Sequence, residues 1–226
     1  METSLHQDLK KRYGGEENQF EVVLGDYRID AISQGCLVEI QVSSLAAIRD
    51  KIRTLLKDHH VMVVKPIIVR KILVKRSKEQ GSVVSRRQSP KRGTIFDLFH
   101  ELIHFTRVFP HEHLTLEVPL IDIEEWRYPG HGRRRRWRRD DYQIEDQKLV
   151  AIHETYHFKT AADLARLING PLPQPFHTGH LAEVLQVPRW IAQRIAYCLR
   201  QVNAVREIGK QGNTRLYEFA ACGKAA

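Results

Sequence analysis

The chain has 226 residues, enough for one large core or two modest ones, and we read two domains joined by a connector. Its 36 Lys and Arg against 27 Asp and Glu leave a net charge of +9, which favours a polyanionic partner, nucleic acid first. No 18 apolar residues run together and residues 1–12 lack an apolar stretch; Cys36, Cys198 and Cys222 are widely spaced without a Cys-x-x-Cys pair; the expectation is a cytoplasmic protein with no membrane span, export leader or cysteine zinc clamp.

Residues 21–24, 27–32 and 36–41 are short runs rich in β-branched side chains, separated by Gly25-Asp26 and Ser33-Gln34-Gly35, and predict a meander of three strands. Ser43 or Ser44 then caps a helix whose apolar face is Leu45, Ile48, Ile52, Leu55 and Leu56, ending near Asp58. Residues 61–64 read as a buried strand, parallel to one of the hairpin strands after that helical crossover. The order is βββαβ. Residues 69–75 fit a strand or a helix start, and 82–93 a polar, basic loop. Ile95, Leu98, Phe99, Leu102, Phe105 and Phe109 trace a second helical stripe, and 114–123 alternates as a strand. Pro129-Gly130-His131-Gly132 and the arginines after it read as the connector.

In the last third, Thr160 caps one helix and Thr178 a second; 188–202 is a longer third helix after the Val187-Pro188 turn, and 204–208 and 214–219 flank the glycine-rich tip 209–213. Helix, helix, turn, helix and hairpin in that order resembles the winged-helix family. The expected division is 1–128, a basic connector 129–154, and 155–226.

Asp30 and Glu39 fall on adjacent predicted strands, and alternation puts Glu39 and Gln41 on one face. Two convergent carboxylates suit Mg²⁺, which activates water for attack on a phosphodiester. The segment from Tyr27 to Gln41, with its following helix and strand, resembles the PD-(D/E)XK nuclease superfamily over residues 5–70. The resemblance implies an α/β, restriction-endonuclease-like mixed sheet with flanking helices. It further implies Mg²⁺ or Mn²⁺ held by Asp30 and Glu39, Glu21 as the first acid, Gln41 where lysine is usual, and Lys51 as the lysine supplied by the next helix. Across nearly its whole length the chain also resembles an uncharacterised group of bacterial proteins sharing Ser-Arg-Arg-x-Ser-Pro-Lys-Arg-Gly, here Ser85 to Gly93.

The expected partner is DNA, with a homodimer left open. Phosphate contacts fall to Arg86, Arg87, Lys91 and Arg92, and to Arg133, Arg134, Arg135, Arg136, Arg138 and Arg139 around Trp137. Arg189, Gln193 and Arg194 start the third C-terminal helix, facing the major groove, while Lys210 and Arg215 at the hairpin touch backbone. Two other readings compete with a DNA-directed, Mg²⁺-dependent endonuclease. One is a non-catalytic DNA-binding regulator on a degenerate nuclease fold. The other is a zinc hydrolase on His100-Glu101-Leu102-Ile103-His104, which matches His-Glu-x-x-His although both histidines lie opposite the apolar stripe.

Overall fold

The computed structural model describes residues 2–14, 19–130 and 141–220. In chain order the elements are α1 (Ser4–Tyr13), β1 (Gln19–Leu24), β2 (Tyr27–Ser33), β3 (Cys36–Ile40), α2 (Arg49–Leu55), β4 (Val61–Val64), β5 (Ile67–Arg76), β6 (Val83–Gln88), α3 (Leu98–Leu102), β7 (Leu114–Pro129), β8 (Tyr142–Phe158), α4 (Ala161–Ala165), α5 (Thr178–Val184), α6 (Arg189–Gln201), β9 (Val205–Gln211) and β10 (Thr214–Phe219). This is an α/β chain with a mixed central sheet and flanking helices. It divides into two interleaved units, one of Met1–Val42, Pro66–Ile95 and Val118–Thr155, the other of Ser43–Lys65, Phe96–Glu117 and Tyr156–Ala226. The division differs from the expected one because β7 is a single strand of 16 residues whose first four belong to the second unit.

In the first unit, α1 starts where the Thr3 side chain accepts from the His6 N–H, and ends in Lys10, Lys11 and Arg12, which complement the helix dipole. Only two apolar residues, Leu5 and Leu9, give it a buried face. One turn apart, both are fully enclosed. So sparse a stripe explains why the polar N-terminus carries no helical expectation in sequence. β1, β2 and β3 form the expected antiparallel meander, turning at Gly25 (φ +56°) and Gly35 (φ +73°). β5 pairs antiparallel with β6 and parallel with β7, and β8 also pairs with β7. The expected loop 82–93 thus contains strand β6, exposed along its whole length, so burial periodicity could not reveal it. Most of the expected connector is strand as well: β7 runs to Pro129 and β8 starts at Tyr142.

In the second unit, β4 pairs parallel with the start of β7, from Val61 opposite Leu114 to Val64 opposite Glu117. The helix expected from Ser44 to Asp58 is a 3₁₀ turn at Leu45–Ala47, capped by Ser44, followed by α2. The stripe from Ile95 to Phe109 likewise resolves into a 3₁₀ turn, five-residue α3 and further turns. Leu98, Phe99, Leu102, Phe105 and Phe109 are all buried, so the apolar side chains satisfy the core without one continuous helix. α4 has the expected Thr160 cap, completed by Asp163 as a capping box; α5 is capped one residue early, by His177 rather than Thr178. Pro188 precedes the long α6, whose Ala192, Ile195, Ala196 and Leu199 form the buried stripe. The hairpin β9–β10 turns at Gly212 (φ +59°), and Phe176 bridges onto Tyr217 of β10.

Candidate functional site

The meander brings the three expected acids to neighbouring register positions, with Asp30 and Glu39 on one face. Phe20 opposite Ala31 and Val22 opposite Ile29 bracket Glu21 against Asp30. Ala31 opposite Val38, continued one step, sets Asp30 against Glu39 on the same sheet face. Glu39 is 7 % exposed, a burial that a carboxylate tolerates only when paired or hydrogen-bonded. Asp30 Oδ2 accepts from the Ile40 N–H at 2.8 Å. Glu21, however, sits at φ +55°, which takes it out of the ladder, and its carboxylate pairs with Lys10 and Arg28. Any ion that Glu21 helped to hold would have to compete with those two cations.

Two cations of α1 answer these acids, and neither carried a sequence expectation. Lys10 reaches Glu21 and also Glu2, 2.6 Å away. His6 lies one turn earlier, with Nε2 3.5 Å from Asp30 Oδ2 and 3.1 Å from the Ile40 carbonyl, and Nδ1 2.7 Å from Glu2. Asp30, supported by Glu2, holds the imidazolium well above its ordinary 6.5, at about 9, against the opposing effect of burial. A pKa raised in the folded state stabilises fully below pH 6.5 and ceases to do so as pH rises through about 9. We therefore expect stability to decline across that window and Asp30→Asn to flatten the decline. Denaturant titrations at pH 6 and pH 9.5 measure it, and equal pH dependence in both proteins would eliminate the pair.

Of the remaining catalytic expectations, Gln41 follows β3 and is half-buried, and Lys51 lies on α2 in the second unit. That unit holds another cation sequence reasoning missed. Lys65, 4 % exposed at the end of β4, donates to the Ser43 carbonyl, and burial lowers its pKa despite the attraction of Glu101. Its only sequence signal was a lysine closing an apolar strand.

The zinc motif is divided between α3 and the turn after it. α3 stops at Leu102, leaving His104 in the following turn. Glu101 accepts from the Leu45 N–H at 3.0 Å, and His100 stacks 5.0 Å from Trp190 while bonding to Arg194. Among the described residues no three metal-ligating side chains cluster. Arg194 is drawn into the cluster of His100 and Trp190. It packs onto His100 and over Trp190, 5.2 Å from the ring, instead of reaching outward with its neighbours.

Those neighbours converge. Arg189 and Gln193, one turn apart on α6, line a concavity of about 270 Å³ with Thr178 of α5 and Asn213, Thr214, Arg215 and Tyr217 of the hairpin. Arg215 is steadied by Glu207 at 3.2 Å, which also receives Arg200 at 3.0 Å. Lys210 stands opposite Arg215 on β9, exposed. Of the other basic residues, Arg86 pairs with Glu124, Arg87 is exposed on β6, and Lys91 and Arg92 are exposed beyond it. The arginines from Arg133 to Arg139 lie outside the described residues.

Comparison with known proteins adds kinship. The family described as Domain of unknown function (DUF8091) matches residues 3–159, more than half of the chain, stopping one residue after β8. The chain belongs to that family. An uncharacterised protein of Treponema pallidum (strain Nichols) is 31 % identical over 218 residues, spanning 96 % of this chain and 84 % of its own length. No solved structure matches. The DUF8091 match covers the three acids and β4–β8, whereas α4–α6 and the hairpin follow it; the Treponema relative extends over nearly all of both.

Proposed function

We propose that this DUF8091 chain is a DNA-binding protein whose residues 155–226 act as a winged helix. The observation that carries this reading is the meeting of Arg189, Gln193 and Arg215, from the start of α6 and from the hairpin, around one open concavity. Two guanidinium groups, an amide and two threonine hydroxyls form a donor set for phosphate oxygens, and a helix start beside a hairpin suits a groove and its flanking backbone. Anisotropy titration of a labelled duplex at two salt concentrations tests it: binding that weakens steeply with salt is expected, and no binding at low salt refutes it.

The acid pair favours a second reading on the same substrate, metal-dependent phosphodiester hydrolysis on a restriction-endonuclease-like fold. The βββαβ order is present behind α1, and Asp30 and Glu39 share a face, fitting a divalent ion that takes one or two carboxylates and otherwise water. Such an ion, Mg²⁺ or Mn²⁺, would be held by Asp30 and Glu39 and would supply an activated water. Gln41 would orient that water. His6 competes for the same Asp30 oxygen, so His6→Ala is expected to lower the Mn²⁺ concentration needed for plasmid nicking, while Glu39→Ala abolishes nicking and leaves duplex binding intact. Binding without cleavage in any divalent metal would leave the non-catalytic regulator.

No helix among the described residues is long and apolar enough to cross a membrane.

A further inference from the structure

The first unit carries another concavity, about 520 Å³, lined in part by Arg87, a residue expected from sequence to touch phosphate. Strand register arranges its walls. Lys75 of β5 stands opposite Ser85 of β6 and beside Arg127 of β7, and Leu73 stands opposite Arg87, so Lys75, Ser85, Arg87 and Arg127 turn to one sheet face. Arg86, one residue from Arg87, and Glu124, three residues from Arg127, pair with each other on the opposite face. Arg127 is fixed in place: its Nε donates to Glu125 Oε1 at 2.5 Å, and the guanidinium lies 3.9 Å over the Tyr142 ring. Glu125, 1 % exposed, is braced in turn by Lys71 at 2.5 Å and Gln147 at 3.0 Å. Lys75 and Arg87, by contrast, are exposed and make no ion pair or hydrogen bond with any described side chain.

Two uncommitted cations beside a clamped guanidinium, on paired strands rather than on a loop, are preorganised donors for phosphate. The space exceeds what a phosphate fills. Tyr128, Pro129 and Tyr142 line its other side, the Tyr142 ring carrying the Arg127 guanidinium on one face, and the Asp141 carboxylate lies close against Gly130. Aromatic surface and an acceptor next to phosphate donors match a nucleoside bearing one phosphate, and Asp141 would repel a longer phosphate chain. We infer that this concavity is a nucleotide-binding site, with the phosphate on Lys75, Arg87 and Arg127, the base against Tyr142, and a sugar hydroxyl or base amine donating to Asp141. The site is independent of the DNA reading of the second unit.

Calorimetric titration of the full chain with deoxyadenosine monophosphate, and with a tetranucleotide carrying or lacking a 5′-phosphate, tests the inference. The monophosphate is expected to bind. Lys75→Gln with Arg87→Gln should weaken it at least tenfold with an unchanged unfolding transition, since both side chains are exposed, whereas Arg189→Gln with Arg215→Gln should leave it unaltered. Tighter binding of the 5′-phosphorylated tetranucleotide than of the monophosphate would assign the site to a strand end, and the reverse to a free nucleotide. Deoxyadenosine competing as well as its monophosphate, inorganic phosphate binding as tightly, wild-type affinity in the double variant, or no heat with any probe would each overturn the site.

Discussion

Replacing Arg189 and Arg215 together by glutamine is expected to lower duplex affinity about ten- to a hundredfold at moderate salt and to reduce the slope of log K against log salt by about 2. The two side chains come from different elements, the start of α6 and the second hairpin strand, yet line one concavity. A phosphate seated there would touch both. Neither is needed for folding: Arg189 is exposed, and loss of Arg215 leaves Glu207 its bond to Arg200. A matched control removes two cations elsewhere in the same unit, Arg166 and Arg206, each exposed and paired with a single acid. Equal loss of affinity in the control would mean that only net charge matters and that the concavity is not the contact.

Phe176→Ala is expected to cost about 3–5 kcal/mol, the range for emptying a buried aromatic site, with the loss concentrated in the hairpin and α6. Phe176 is fully enclosed although it follows the proline-rich loop 171–175. Its backbone exchanges two hydrogen bonds with Tyr217, 2.9 and 2.8 Å, and its ring lies 5.9 Å from Tyr217 and 5.3 Å from Phe219. It therefore anchors the strand that carries Arg215. Since the loss is expected in one part of the second unit, hydrogen exchange, which locates it, is the measurement to make. Protection should fall in β9, β10 and α6 while β1–β3 keep theirs, and duplex affinity should drop with it. A change under about 1 kcal/mol, or uniform loss of protection, would show that the hairpin is held by something else.

Much of the fold was legible where one physical signal dominated. The strands 27–32 and 61–64 were readable because β-branched runs are bounded by glycine, histidine or proline, and the α6 stripe because Ala192, Ile195, Ala196 and Leu199 keep helical spacing. The misreadings share a cause. β6 is exposed on both faces and α1 buries only two apolar residues, so neither has a periodicity to detect. At Ile95 to Phe109 the reverse held: a helical spacing of apolar residues was met by turns, because a core rewards burial and not the conformation that delivers it.

The candidate sites divide the same way. Local sequence was sufficient to nominate Asp30 and Glu39, since residue alternation along two strands joined by a short turn sets their face. It also sufficed for Arg189 and Gln193, whose spacing is one helical turn. What tertiary structure alone decided is which charges those residues meet. Glu21 was taken by Lys10 and Arg28, Asp30 by His6, Arg194 by His100 and Arg86 by Glu124, while Arg215 was brought to Arg189 across the hairpin. Periodicity records the side of an element on which a side chain lies; its partner, several or many residues away, is set only when packing closes the distance to hydrogen-bonding range, where charge interactions become strong enough to choose.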